Sequence, residues 1–574
     1  MSEAREGFTR RGFLAAAAAC GAGLAANAVG SRLWRRGEGP DPAVVAAIPG
    51  QIVGASASRG HDLRNPEGAP WRGRAPASVE RVRTAIVGSG MAALSAAWAF
   101  DHAGWNDYRV LELEPRAGGT SSWAETPAGR CPWGAHYLPV PTPQSRAVRR
   151  LLAELGVITG WTPAGEPIYE ETYLCQAPQE RLYIHAHWQD GLWPESGATA
   201  ADHAQLDAFH AEMDRWRNRS TRDGRPAFTL PMALSSRDPE VLALDRISMA
   251  DWMGQQGYTS RRLWWYVEYA TRDDYGCTLA NTSAWAGLHY FCSRMQNAPP
   301  AGRPSSRAAD ADQLLTWPEG NGWLARRLTD KVGQARLRTG ALVFHVEPGP
   351  REVTVDWFDG AEVRRLVCDS VVLAVPRFIA LRICPAYAAL AVGPAAAFSY
   401  APWVVTNLQV DRPPANARPS GPPICWDNVM HDSDSLGYVM STHQSLATVE
   451  GPTVLTHYQP LTRGEPPLLR AMALAKSWSQ WRDSVLADLW TPHPGIEQTV
   501  QRLDVMVWGH AMVRPTPGFV WGHARAAAAA TPPRVALAHC DLSGLAVFEE
   551  AQYHGVRAAE QLMGAAGHRF ESLL

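Results

Sequence analysis

The residues whose types and spacing could do chemistry are a glycine turn and, as a weaker signal, an acidic pair beside aromatic residues. Gly88-Ser89-Gly90-Met91-Ala92-Ala93 follows an apolar run at 82–87 and opens a small-residue segment at 91–103. That is where a strand passes into a helix in a dinucleotide-binding unit. Gly88 permits a tight turn and Gly90 lets a diphosphate approach the backbone. Ala93 stands in the third glycine's place and is small enough for helix–strand packing. The helix would then offer unpaired N–H groups and the positive end of its dipole to the phosphates. Glu112 lies 24 residues beyond Gly88 and closes a second apolar run, 108–113. A carboxylate there can accept hydrogen bonds from ribose hydroxyls. Glycines alone would be a weak signal, since a glycine turn also closes ordinary α/β units; strand, helix and acid in register make it specific.

The second group is Asp273, Asp274 and Tyr275, which precede an aromatic stretch containing Trp285, His289, Tyr290 and Phe291. Carboxylates beside aromatic faces can hold an alkylammonium group by charge and cation–π attraction. The same residues also read as a capped helix end beside a packed aromatic core. Asp427 and the tryptophans at 403, 426, 508 and 521 are open to both readings. His136 has a side chain whose ordinary pKa, about 6.5, suits proton transfer, or it is a packed, hydrogen-bonded histidine. No metal site is expected: nine cysteines are scattered without a C-x-x-C pair, and zinc needs closer spacing. A disulfide framework belongs to small secreted domains, so reduced, buried thiols are expected.

Positioning such residues takes a large body. The chain has 574 residues, 46% hydrophobic and 19% charged, enough for two or three domains. Its 24 Trp, 15 Tyr and 13 Phe exclude wholesale disorder. A net charge of −2 argues against a nucleic-acid partner. Of 54 basic residues only Lys331 and Lys476 are lysines. Strands are expected at 82–87, 108–113, 341–347, 352–358, 370–375 and 402–410, and helices at 91–103, 145–156, 201–217 and 467–489. Proline-rich breaks stand at 298–304 and 411–423, and 534–564 reads as strand, loop and helix.

The N-terminus reads as an address. Thr9-Arg10-Arg11-Gly12-Phe13-Leu14 precedes an alanine-rich apolar run to about Val29, the pattern of a twin-arginine export signal. The expectation is export to the periplasm or another extracytoplasmic space through the twin-arginine translocase. The segment is then cleaved near Ala26-Asn27-Ala28, lipidated at Cys20, or retained as an anchor that holds the protein at a membrane surface. Residues 30–79 carry no sustained period and read as a tether or a wrapping segment.

Several blocks together resemble the flavin-containing amine oxidase superfamily, which includes monoamine and polyamine oxidases, protoporphyrinogen oxidase and phytoene desaturases. They are the glycine turn, Glu112-Leu113-Glu114-Pro115-Arg116-Ala117-Gly118-Gly119, Trp133-Gly134-Ala135-His136-Tyr137-Leu138, Pro318-Glu319-Gly320-Asn321-Gly322-Trp323-Leu324 and Val371-Val372-Leu373-Ala374-Val375-Pro376. Ala536-Leu537-Ala538-His539-Cys540-Asp541 and His554-Gly555-Val556-Arg557 complete the set. The resemblance implies an α/β fold, a Rossmann-like FAD-binding domain interleaved with an α+β substrate domain. FAD-binding parts would be 80–140, 305–380 and 511–574, with substrate-domain parts at 141–304 and 381–510. It implies non-covalent FAD held by Gly88, Ser89, Gly90, Met91, Ala92, Ala93, Glu112, Gly118, Gly119, Trp133, Gly134, Ala135, Val343, Asp541 and Gly555. The family's histidine near the flavin would align with Pro139, so His136, three residues earlier, is the catalytic candidate or a packed histidine. The export motif and the unpatterned run after it put the signal at 1–28 and the linker or wrapping segment at 29–79.

One departure matters. Many amine oxidases hold a lysine near the flavin, on the strand corresponding to Pro402-Trp403-Val404-Val405-Thr406-Asn407-Leu408-Gln409, and this chain has none there. Rapid reoxidation by dioxygen is therefore in doubt, and a quinone is an alternative acceptor. The sequence reading is an FAD-dependent oxidoreductase that oxidises a C–N bond of a small amine or polyamine by hydride transfer to flavin. The alternatives are a desaturase or protoporphyrinogen-oxidase-like dehydrogenation of an apolar ring or polyene, and a non-catalytic FAD-binding scaffold. Binding of NAD is disfavoured by the glycine doublet.

Overall fold

The computed structural model describes residues 39–294, 313–390, 397–418, 421–446 and 449–574. The export motif and the 298–304 break lie outside them. Two sheets organise the rest. The chain runs through β1 (Gly50–Val53), β2 (Ser78–Val87), helix α1 (Met91–His102), β3 (Tyr108–Leu111), β4 (Tyr137–Pro139), β5 (Glu180–Ile184) and β6 (His187–Asp190). Next come helices α2 (Arg261–Tyr275) and α3 (Ala284–Cys292), β7 (Leu314–Thr316), α4 (Gly322–Val332), β8 (Leu337–Arg338), β9 (Leu342–Pro348), β10 (Val353–Phe358) and β11 (Val363–Leu373). The last third supplies β12 (Tyr400–Val410), β13 (Asp427–Met430), β14 (Gly437–Met440), β15 (Thr453–Pro460), β16 (Val500–Val513), β17 (Val535–Leu537) and α5 (Phe548–Ala565).

The nucleotide-side sheet has the order β8-β3-β2-β11-β10-β9, with β17 also on β11. β2 is parallel to both β3 and β11, as expected where a helix makes the crossover. α1 is buried from Met91 to Phe100. Its alanines allow α5 to approach so closely that a Cβ on Gly555 would lie 2.1 Å from the Ala92 carbonyl oxygen.

The second sheet has the order β1-β16-β12-β15-β14-β13-β5-β6. Every residue of its central strand β12 is buried, because both faces are covered. Ala401, Trp403 and Val405 pack with Trp133, Trp426 and Tyr458, while Val404, Leu408 and Val410 pack with Trp481 and Leu489. This two-residue alternation gives one face to the site and the other to a helical layer.

The structure departs from expectation in two places. The helix expected over 467–489 is two, Pro466–Ala475 and Trp478–Trp490, because Ser477 caps the second by accepting the Gln480 N–H. The 370–375 strand begins much earlier, at Val363. From residue 39 the leading segment wraps: Val45 and Ile48 are core residues, and β1 is the edge strand of the second sheet. All eight described cysteines are unpaired, seven of them buried. No helix among the described residues is long and apolar enough to cross a membrane.

Candidate active site

A cavity of about 530 Å³ runs between the two sheets, with Gly88–Ala92 and Glu112 in its wall at the nucleotide side and Asp273, Trp403 and Tyr458 in its wall at the other. At the nucleotide end the turn after β2 is built as its glycines require. Gly88 has φ +97°, and a Cβ there would lie 2.4 Å from the Ala374 carbonyl oxygen at the end of β11. Gly90 precedes α1 with no side-chain cap, so the first N–H groups of that helix are left for a ligand. Gly118 donates its N–H to the Ser89 carbonyl at 2.9 Å, which ties the second glycine turn to the first.

Glu112 follows β3 and is 8% exposed. Burial raises its pKa, while the Glu114 N–H, at 2.7 Å, and the Ser89 hydroxyl donate to its carboxylate and oppose that shift. An open helix N-terminus, a glycine cradle that a Cβ would fill and a carboxylate on the same wall fit the diphosphate and ribose of a dinucleotide.

The far end is acidic and aromatic. α2 ends at Gly276, whose left-handed φ of +60° lets the helix terminus abut β12; a Cβ there would lie 2.6 Å from both Ala401 Cβ and Trp403 Nε1. Asp273 and Asp274 are thereby carried to the cavity wall. Asp274 pairs with Arg294 at 3.2 Å, and Arg294 also reaches Glu549 at 3.4 Å. Asp273 has instead the Tyr137 hydroxyl, which donates to Oδ2 at 2.8 Å. Burial, and then the neighbouring Asp274 charge, push the Asp273 carboxyl up to about 7. Beside it the Tyr269 hydroxyl donates to Asp427 at 3.0 Å, and burial and Asp273 hold Asp427 well above the usual carboxylate range.

His136 stacks on Tyr458, with centroids 4.4 Å apart and planes 29° apart, and lies 5.5 Å from Trp426. Burial lowers its pKa to about 3, so the imidazole is neutral near pH 7. A base this weak is poorly suited to hold a proton, and its ring serves as wall.

The structure brings together Gly88, Ser89, Gly90, Met91, Ala92, Glu112, Gly119, Gly134, Ala135, His136, Val343, Asp273 and Asp274 on that wall. The other candidates stand behind that wall. Tyr275 is buried in the helical core, its hydroxyl donating to the Ala286 carbonyl at 3.0 Å. Gly555 is a helix–helix contact, and Ala93 is fully buried in the same packing. Gly118 supports Gly119, and the Trp133 carbonyl accepts the Trp508 Nε1–H at 2.6 Å while its ring joins the core. Asp541 is buried and accepts the Arg377 N–H at 2.8 Å and the Tyr400 hydroxyl at 2.7 Å; His539 and Cys540 reach the wall in its place.

Sequence reasoning missed Tyr458 and Arg294, which no local pattern marks, and gave Tyr137 no role although it lies within the Trp133–Leu138 block. Only the fold sets Tyr137 against Asp273, 136 residues away. Neither lysine reaches the cavity. Lys476 lies 3.9 Å from the centre of the Trp481 ring, and Lys331 is in the last turn of α4.

A family model described as an NAD(P)-binding Rossmann-like domain matches residues 86–155. No curated protein matches the chain. Among solved structures the chain is similar to putrescine oxidase bound to putrescine, at 15% identity and TM-score 0.59, over 85% of this chain and 100% of that one. It is also similar to cyclohexylamine oxidase from Brevibacterium oxydans IH-35A, at 14% identity and TM-score 0.57, over 85% and 99%. A fatty acid isomerase from P. acnes that produces CLA matches at 14% identity and TM-score 0.53, over 84% and 98%. At such identities the likeness is one of fold: a Rossmann-like domain interleaved with a second sheet.

Proposed function

We propose that the chain is an FAD-dependent oxidoreductase of amine oxidase type, acting on the C–N bond of a small amine or polyamine. The supporting observation is that one cavity joins the glycine turn and Glu112 to Asp273 between aromatic walls. Bound FAD supplies a two-electron acceptor for a hydride from the substrate carbon. The chain's residues do the rest. The α1 N-terminus and Glu112 hold the dinucleotide, without a covalent bond. Asp273 holds the substrate ammonium by charge, its partner Tyr137 keeping the carboxylate in place. The rings of His136, Trp403 and Tyr458 orient the carbon chain and exclude water. The ammonium first gives its proton to solvent; the neutral amine then loses a hydride from carbon to the acceptor and a proton from nitrogen, and water hydrolyses the resulting imine to an aldehyde and ammonia or a smaller amine.

A second reading is favoured by the absent lysine and the apolar walls: dehydrogenation of an apolar ring or polyene. Anaerobic titration of the yellow protein with monoamines, polyamines, tetrapyrroles and polyenes decides between them. Bleaching by amines supports the first reading, bleaching by tetrapyrroles or polyenes the second, and bleaching by nothing a non-catalytic scaffold. The electron acceptor is dioxygen or a quinone, distinguished by reoxidation rates. The Arg10-Arg11 motif supports export by the twin-arginine route, with the N-terminus cleaved or kept as a membrane anchor; fractionation of cells carrying Arg10→Lys and Arg11→Lys tests it.

A further inference from the structure

The segment ahead of β2 is fastened to both sheets. β1 pairs in parallel with Leu503–Met506 of β16 in the second sheet. Three residues after β1, Ser56 donates its backbone N–H and its hydroxyl to Glu114, at 2.7 and 2.8 Å. Glu114 belongs to the loop after β3, in the nucleotide-side unit. Arg59 Nη2 donates to the Gly340 carbonyl at 2.8 Å, beside β9. Between these fastenings Ala55, Ala57, Gly60, His61 and Leu63 face the same cavity as Gly88 and Glu112. The Glu114 N–H in turn donates to Glu112 at 2.7 Å. A hydrogen-bonded chain therefore runs Ser56–Glu114–Glu112–Ser89, from the wrapping segment to the glycine turn.

Charge on this wall points the same way. Arg294 is neutralised by Asp274 and Glu549. Arg470, on the helix Pro466–Ala475, donates Nε–H to the Gly509 carbonyl at 2.6 Å, and its charged neighbour is Arg64. His61 and His510 stand close to both arginines, with Asp62 the acid beside His61. Arg470 lines the cavity and pairs with no carboxylate among the described residues, and such a guanidinium suits an anion like the diphosphate of a dinucleotide.

We propose that residues 55–63 are a clasp over the dinucleotide, a part of the FAD-binding site held shut by Ser56–Glu114 and Arg59–Gly340, with Arg470 supplying positive charge to the cofactor. This rests on the FAD reading above. The clasp must open for the cofactor to enter or leave, so release is slow.

The test uses the full chain loaded with FAD and measures flavin released after dilution by its fluorescence, beside the melting temperature of FAD-free protein. Ser56→Ala removes one of the two hydrogen bonds to Glu114, and Glu114→Gln removes the charge to which both are made; each is expected to speed FAD release about tenfold or more, with the FAD-free melting temperature unmoved. Arg470→Gln is expected to weaken FAD about tenfold and riboflavin, which has no phosphate, hardly at all. Unchanged release in both Ser56→Ala and Glu114→Gln overturns the clasp, as does faster release matched by a lower FAD-free melting temperature. Equal losses of FAD and riboflavin in Arg470→Gln overturn the assigned role of that arginine. A wild-type protein that takes up no FAD overturns the FAD reading itself; one that holds FAD while the variants release it unchanged overturns the clasp alone.

Discussion

Asp273→Asn separates the two roles that the geometry gives this carboxyl. Folding moves it from the ordinary aspartate value, about 3.9, to about 7. The shift is roughly three units at about 1.36 kcal/mol each, so ionising Asp273 costs the folded protein up to about 4 kcal/mol, and about half that if water in the cavity screens the charge. The direction follows from proton counting. Between about pH 4 and about pH 7 the folded state holds a proton that the unfolded state has lost, so stability falls as pH rises. The contribution is full below about pH 4 and gone above about pH 7.

Asparagine cannot ionise, yet its carbonyl still accepts the Tyr137 hydroxyl. Urea unfolding of FAD-free protein from about pH 4.5 to about pH 8.5 should show Asp273→Asn gaining on wild type up to about pH 7, with a constant gap above it. Amine binding should move the other way. Losing a charge-assisted hydrogen bond of about 1.5–3 kcal/mol weakens a bound alkylammonium roughly 10- to 100-fold near pH 8. A stability gap independent of pH would refute the raised pKa, and unchanged amine binding would refute the anchoring role.

Glu112→Ala should lower FAD affinity about tenfold or more, read by equilibrium dialysis; full flavin content would remove the ribose assignment. His136→Gln should leave the pH dependence of anaerobic flavin reduction unaltered, because a group titrating near 3 takes no part in it around neutrality; loss of a kinetic pKa near neutrality would restore a proton-transfer role. Gly555→Val should lower the melting temperature through a clash at the Ala92 carbonyl, at a cost of about 2 kcal/mol or more, with any flavin loss following from unfolding. Reoxidation of the reduced protein should be faster with a quinone than with dioxygen, since neither lysine lines the cavity; the reverse order in stopped-flow traces would show that no lysine is needed.

The glycine turn was legible because its requirements are local. A positive φ at Gly88, small residues along α1 and a carboxylate at the end of β3 are each written within about thirty residues, the span of one βαβ unit. The apolar run that became β12 was legible for the same reason, since burial on both faces leaves a nearly continuous apolar signature. Helix breaks were less so. Ser477 sits in a pattern that reads as one amphipathic helix, and only its capping geometry divides it.

The acidic end was half visible. Asp273 and Asp274 were adjacent candidates, but sequence could not tell which keeps a free charge. Arg294 neutralises one and Tyr137 only positions the other, and both partners arrive from distant chain segments. Tyr275 adjoins them but gives its hydroxyl to the Ala286 carbonyl of α3, because helical periodicity turns it away from the cavity.

The sequence by itself determined the nucleotide-binding unit and the want of a lysine, since both follow from residue types at short spacing or from plain counting. The tertiary structure decided what the cavity joins. It set β1 against β16, closed residues 55–63 onto Glu114, and lodged His136 between rings where burial keeps it neutral. Those are contacts between segments from 58 to more than 400 residues apart, and desolvation and charge pairing of that kind exist only once the chain has folded.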